Sequence, residues 1–289
     1  MTICYFVLGD NLDLYVQAHF SILSFKKQLQ DNDHIVVVTT NPEYLAHYPF
    51  VECITIDKTL VDEWQGKHKF FWRAKIKAIE MVAQRYADSD LLYLDCDTFL
   101  YSDFESMKLQ LAEGKGFMDG NEGHPSTIKT KPQRMYKKIG GKTYGGITIS
   151  EKHNMWCAGV VGIPADKKQS VVATALQLCD GMLDDKAEPI VVEQYSLSIA
   201  MFENLSLQSS KPFIAHYWSN KKQWVATAKE LFIKSLFTSA DVQSEIREFE
   251  KISIDEIPVY KKSHISNTRL KKLADKIFGD TDIKYITKQ

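Results

Sequence analysis

The stretch DLLYLDCDTFLY, residues 90–101, drives an almost unbroken apolar run into Asp95 and Asp97, with only Cys96 between them. Two carboxylates one residue apart at the mouth of a strand repel each other unless both are solvated in a turn or a cation joins them. If the chain stays extended, alternate side chains point the same way, so Asp95 and Asp97 can reach one ion while Cys96 faces the core. A divalent cation there would also accept oxygens from a diphosphate and neutralise the charge that develops when that group leaves. IAHYWSNKKQW, residues 214–224, offers what such a site still lacks. His216 ends an apolar strand and is a candidate third ligand, and Lys221 or Lys222 on the following turn is a candidate phosphate clamp.

These residues need elements to position them, and the chain supplies short apolar runs alternating with helical patterns. ICYFVL ends at Gly9-Asp10, a helix pattern follows in LYVQAHFSILSFKKQL, and HIVVVTT and VECITI read as two further strands. This is the rhythm of a parallel, doubly wound α/β sheet. In KHKFFWRAKIKAIEMVAQRYA, residues Trp72, Ile76, Ile79 and Ala83 recur at helical spacing, with Arg73, Lys77, Glu80 and Gln84 on a neighbouring polar face. Ligands of open α/β sheets sit at the carboxyl ends of strands, where Gly9-Asp10, Thr39-Thr40 and Asp95-Asp97 would arrive together. GKGFMDG and NMWCAGVVGIP read as later strands. The intervening polar segment 121–154, rich in Lys and Gly, is long for a plain connection and reads as a functional loop or small subdomain over the site.

Composition narrows the function. The 289 residues, 44% hydrophobic, can bury a sizeable core in one large domain or one domain with an appendage. A formal net charge of -1 argues against a surface built for nucleic acid. Five scattered cysteines, none at zinc-pair spacing, read as reduced thiols and suggest the cytoplasm. The opening MTICYFVLGDNLD has no basic stretch before its short apolar run, so no signal peptide is expected, and no later run approaches a membrane span.

Two other readings of the aspartate pair compete with the metal site. Asp is common in turns and at helix N-caps. A strand ending in Asp-x-Asp-x-Thr also marks the haloacid dehalogenase phosphatases, but here Thr98 falls one place early and Phe99 occupies the threonine position.

Taken together, GDN at 9–11, Arg73, LYLDCD, CAGV at 157–160, Glu193-Gln194 and HYWSNKKQW follow one another as in the GT-A glycosyltransferases. The chain most resembles the glycogenin and bacterial lipopolysaccharide galactosyltransferase family (glycosyltransferase family 8-like), over nearly residues 1–224. The resemblance implies a Rossmann-like mixed sheet flanked by helices as the catalytic domain, 1–224, with a helical, basic appendage over 225–289. It implies that Asp95, Asp97 and His216 bind Mn2+ or Mg2+ and that Lys221 or Lys222 meets the diphosphate of a nucleotide-sugar, UDP-hexose above all. Asp10 and Asn11 would lie near the nucleoside, and Arg73, Glu193 and Gln194 would face the donor sugar. The expected activity is transfer to a saccharide or lipid-linked acceptor hydroxyl, with retention; a non-catalytic sugar-nucleotide-binding module is the alternative. Cys157 replaces the family's Asn, Glu193 replaces its Asp, and Trp218-Ser219 replace its Gly, which leaves the donor sugar open. From Tyr260 onward basic residues outnumber acidic ones, so contact with an anionic membrane face is a further expectation.

Overall fold

The computed structural model describes residues 1–261 together with Leu270, Leu273, Ala274 and Ile277. Most of the basic terminal segment, and with it the expected membrane contact, therefore lies outside the described residues. No described helix is long and apolar enough to cross a membrane.

The first half alternates as its sequence pattern requires. β1 (Thr2–Val7), α1 (Leu12–Lys26), β2 (His34–Thr39), β3 (Val51–Thr55), α2 (Lys58–Trp64), α3 (Arg73–Arg85) and β4 (Leu91–Leu94) lead to the aspartate pair. After it come β5 (Thr98–Leu100), α4 (Phe104–Ala112), β6 (Lys115–Met118), β7 (Asn121–Gly123), α5 (Lys131–Ile139) and the small hairpin β8 (Thr143–Tyr144) and β9 (Ile147–Thr148). β10 (Met155–Trp156), β11 (Val160–Ile163), α6 (Lys168–Asp184), α7 (Val192–Asn204), β12 (Ser206–Ser209), β13 (Ile214–His216), α8 (Lys221–Thr238) and α9 (Val242–Glu250) complete the order.

Seven strands form the central sheet in the order β12-β6-β11-β4-β1-β2-β3. β11 runs antiparallel to both its neighbours, and the other six share one direction. The sheet is thus mixed, not purely parallel. Alternation along the strands sends Cys4, Val36 and Val38 into the layer beneath α3, α6 and α7. Ile3, Tyr5, Ile35 and Val37 point into the layer beneath α1 and α4. Both faces are covered, which is why these strands read as continuous apolar runs rather than alternating ones.

Segment 121–154 is a packed unit with Met135, Ile139 and Ile149 buried in the first layer. At the other end, α8 begins at Lys221, so the expected boundary after residue 224 falls inside a helix whose Trp224 and Ala228 are fully buried. The chain then returns as a strap. Asn220 Nδ2 and Trp224 Nε1 donate to the Pro258 carbonyl at 2.6 and 3.2 Å, and the Lys261 amide donates to Ser219 Oγ at 2.9 Å. Ile254, Ile257 and Val259 of the strap pack on a cluster of Phe20, Phe99, Tyr217 and Trp224.

Candidate active site

β4 delivers Asp95 to the carboxyl edge of the sheet. The Asp95 amide donates to the Gly159 carbonyl at 2.8 Å, extending the pairing with β11 by one residue. The chain then turns, with Thr98 Oγ1 donating to the Asp95 carbonyl at 2.8 Å, so the pair is not in extended strand as the sequence argument assumed. Cys96 nevertheless points inward, buried among Leu94, Leu100 and Val160. His216 arrives through a separate two-stranded pairing in which it lies opposite Thr98. The Tyr217 amide closes the arrangement onto the Asp97 carbonyl at 3.0 Å. One ligand atom from each of Asp95, Asp97 and His216 then lies within 4.8 Å of the others, across more than a hundred residues of sequence.

This donor set fits a divalent cation. Two carboxylates and an imidazole suit Mn2+ or Mg2+, which prefer oxygen and accept nitrogen. Asp97 Oδ2 is buried without a well-angled hydrogen-bond donor, its nearest cation being Lys221 Nζ at 2.9 Å. Burial pushes the Asp97 carboxyl up, but His216 and Lys221 outweigh it and hold the group well below the usual carboxylate range. His216 stands between two acids: Nε2 is 3.5 Å from Asp97 Oδ1 and Nδ1 is 3.0 Å from Asp119 Oδ2. Burial opposes its charge, yet hydrogen bonds to Asp119 and Asp97 raise it well above the ordinary histidine value. Asp119, Cys157 and His216 form a second group of similar compactness, reached through the other ring nitrogen.

Lys75 is a further buried cationic group of the site. Its side chain is 3% exposed, donates to the Ala158 carbonyl at 2.8 Å and lies 3.2 Å from Asp95 Oδ1 and 3.1 Å from Glu193 Oε1. Burial opposes the ammonium, and the two carboxylates outweigh that and raise it above the ordinary lysine range. Burial likewise raises Glu193, with Lys75 partly offsetting the effect. The amphipathic reading of α3 placed Lys75 on neither of its faces, although it sits four residues before Ile79 and seven before Val82, on the buried stripe. Trp72, expected on that stripe, is 44% exposed and lines the cleft instead.

Arg73 does not reach the cleft. Its guanidinium binds Asp180 of α6 with two nitrogens, at 2.7 and 3.0 Å, and donates to the Trp64 carbonyl. Two residues apart on a helix, Arg73 and Lys75 face nearly opposite ways. Glu193 and Gln194 do line the cleft, and Gln194 Nε2 donates to Glu122 Oε2 at 2.8 Å. Lys221 lines it too; Lys222, the next residue of α8, is exposed and does not. Asp10 and Asn11 sit at the carboxyl end of β1, beside β4, outside this cleft. Asp10 accepts from Asn41 Nδ2 at 3.1 Å and Asn11 caps α1 through the Asp13 amide. Asp119, Glu122 and Lys75 are site residues the sequence reading did not single out, whereas Cys157, noted there only as standing where the resemblance expects Asn, lines the cleft. The clue for Asp119 was its place directly after the apolar run GFM.

No protein-family model matches the sequence, and no curated protein matches it. Among solved structures, galactosyltransferase LgtC in complex with donor and acceptor sugar analogs is similar at a TM-score of 0.50 and 12% identity. The match covers 73% of this chain and 74% of that one. The fold is GT-A. Within it, the strand order turns at β4, so the Asp pair stands at mid-edge, with β1 and β2 on one side and β11, β6 and β12 on the other. Such a switch point is where open α/β sheets bind ligands.

Proposed function

We propose that this chain is a metal-dependent glycosyltransferase that moves a hexose from a UDP-sugar to an acceptor hydroxyl, with retention. The observation that carries the reading is the convergence of Asp95, Asp97 and His216 at the mid-edge of a GT-A sheet. Asp95, Asp97 and His216 would hold Mn2+ or Mg2+, which when bound supplies charge neutralisation for the departing diphosphate.

The chain's own groups do the rest. Lys221, half exposed and now paired with Asp97, is placed to turn onto a diphosphate when one arrives. Lys75 fixes Asp95 and Glu193 in one arrangement, so neither acid needs to reorganise as charge moves. The nucleoside lies toward β1 and β2, where Asp10, Asn11 and Thr40 offer polar groups. The acceptor enters from the β6 side, where the Gln194–Glu122 pair presents both a donor and an acceptor of hydrogen bonds. Holding the acceptor hydroxyl close to the activated sugar carries much of the rate in such a site.

The test is release of UDP from a panel of UDP-hexoses with and without Mn2+. Turnover that needs the metal and disappears in Asp97→Asn supports the assignment. A folded protein that binds UDP-hexoses with Mn2+ and never releases UDP, with or without acceptors, is a binding module instead.

A further inference from the structure

A second cavity of about 600 Å³ opens beside the metal cleft and shares Glu122, Cys157, His216 and Trp218 with it as common wall. It lies on the β6 and β12 side, away from the edge where the nucleoside is assigned. Its lining is of two kinds: Asp119, Asn121, Glu122, Lys211 and Asp255 are polar or charged, and Phe99, Ile214, Ile254, Val259 and Tyr260 are apolar or aromatic. The far wall is the terminal strap, pinned at Pro258 and Lys261. Around the mouth Tyr101, Trp218 and Tyr260 remain 45%, 52% and 60% exposed, with the Trp218 and Tyr260 rings edge to face at 5.8 Å. Aromatic faces grouped at the mouth of a largely apolar recess mark a binding surface. A hexose can lay its one C–H face on a single such ring, which leaves Ile214, Ile254 and Val259 behind the rings uncovered.

We propose that this cavity holds the apolar aglycone of the acceptor, so that the acceptor is an alkyl or aryl glycoside rather than a free saccharide. Its hydroxyl-bearing head meets Asn121 and Glu122 beside the metal cleft, and its apolar portion runs under Trp218 and Tyr260 toward Ile254 and Val259. The proposal rests on the glycosyltransferase reading for the word acceptor, but the binding it describes is measurable without turnover.

The probes are two homologous series, methyl to hexyl β-D-glucopyranosides and methyl to hexyl β-D-galactopyranosides, with 1-hexanol as control. Each is titrated calorimetrically into the full chain with UDP and Mn2+ present. Affinity in at least one series is expected to rise by up to about fourfold per methylene, the factor that burial of one such group confers. Hexanol is expected to bind at least tenfold more weakly than the hexyl glycoside. Val259→Ser and Tyr260→Ala should each flatten the chain-length dependence while leaving Mn2+-dependent UDP binding unchanged. A flat dependence in both series overturns the proposal, as does hexanol binding as tightly as the hexyl glycoside, or a gain that survives both substitutions. Failure of UDP to bind with the chain-length gain intact removes the glycosyltransferase reading and keeps the apolar subsite; the reverse removes only the subsite.

Discussion

Replacing Lys75 by Met removes a buried charge that faces two acids, Asp95 and Glu193, at the cleft floor. The side chains are similar in length, so the packing against Tyr93, whose ring lies 4.8 Å from Nζ, is largely kept. What is lost is the pairing with Asp95 and Glu193. Breaking a buried pair by removing one partner costs about 3–5 kcal/mol, because the remaining charge has no compensation. Asp95 is 30% exposed and recovers some hydration, which puts the expectation near the lower bound, while Glu193, at 10%, recovers little. With 289 residues and about 2.1 cal/mol/K of unfolding entropy per residue, that range lowers Tm by about 5–8 °C. Calorimetry on the parent, Lys75→Met, Glu193→Gln and the double variant gives the coupling directly. In the double variant Glu193→Gln should recover about 1 kcal/mol or more of the loss. Saturating Mn2+ should raise the Tm of Lys75→Met more than that of the parent, since the metal then supplies Asp95 with its missing cation. A Lys75→Met protein melting within 1 °C of the parent, or additive effects in the cycle, would refute the buried network.

Asp97→Asn and His216→Ala should each abolish Mn2+-dependent UDP binding and lower turnover by roughly a thousandfold or more, several kcal/mol at 1.36 kcal/mol per factor of ten; calorimetric titration and UDP release check this. Asp119→Asn should weaken Mn2+ affinity about 10–100-fold with little change in Tm, because Asp119 orients the ring through Nδ1 and leaves Nε2 facing Asp97; Mn2+ electron paramagnetic resonance gives the free-ion fraction. Gly159→Ala should displace the imidazole, since a Cβ there would stand 2.2 Å from His216 Cε1; loss of Mn2+ binding in a protein with unchanged circular dichroism is the expected result.

The strands and the aspartate pair were legible because their signal is local: apolar runs of strand length, each closing on a polar residue. His216 came from order and resemblance, since nothing in its own neighbourhood distinguishes a ligand from a packed histidine. Lys75 was missed for a physical reason. A lysine near a helix start reads as solvated, and only the arrival of two acids from β4 and α7 makes its burial tolerable. Arg73 was read into the cleft because Asp180, which holds it elsewhere, lies on a helix 107 residues later. The second cavity could not be read at all, because its walls come from β5, β13 and a strap whose return path no periodicity encodes.

That strap has a consequence for how the protein is made. Asp95, Asp97 and His216 have all left the ribosome about 40 residues before Val259 does, which at roughly 5–20 residues per second is an interval of several seconds. During it the nascent chain owns all three residues and no outer wall for the aromatic recess. A message cut short between codons 217 and 254 would yield a chain that carries Asp95, Asp97 and His216 but lacks Ile254, Ile257 and Val259, and so leaves Phe20, Phe99 and Tyr217 uncovered on that side.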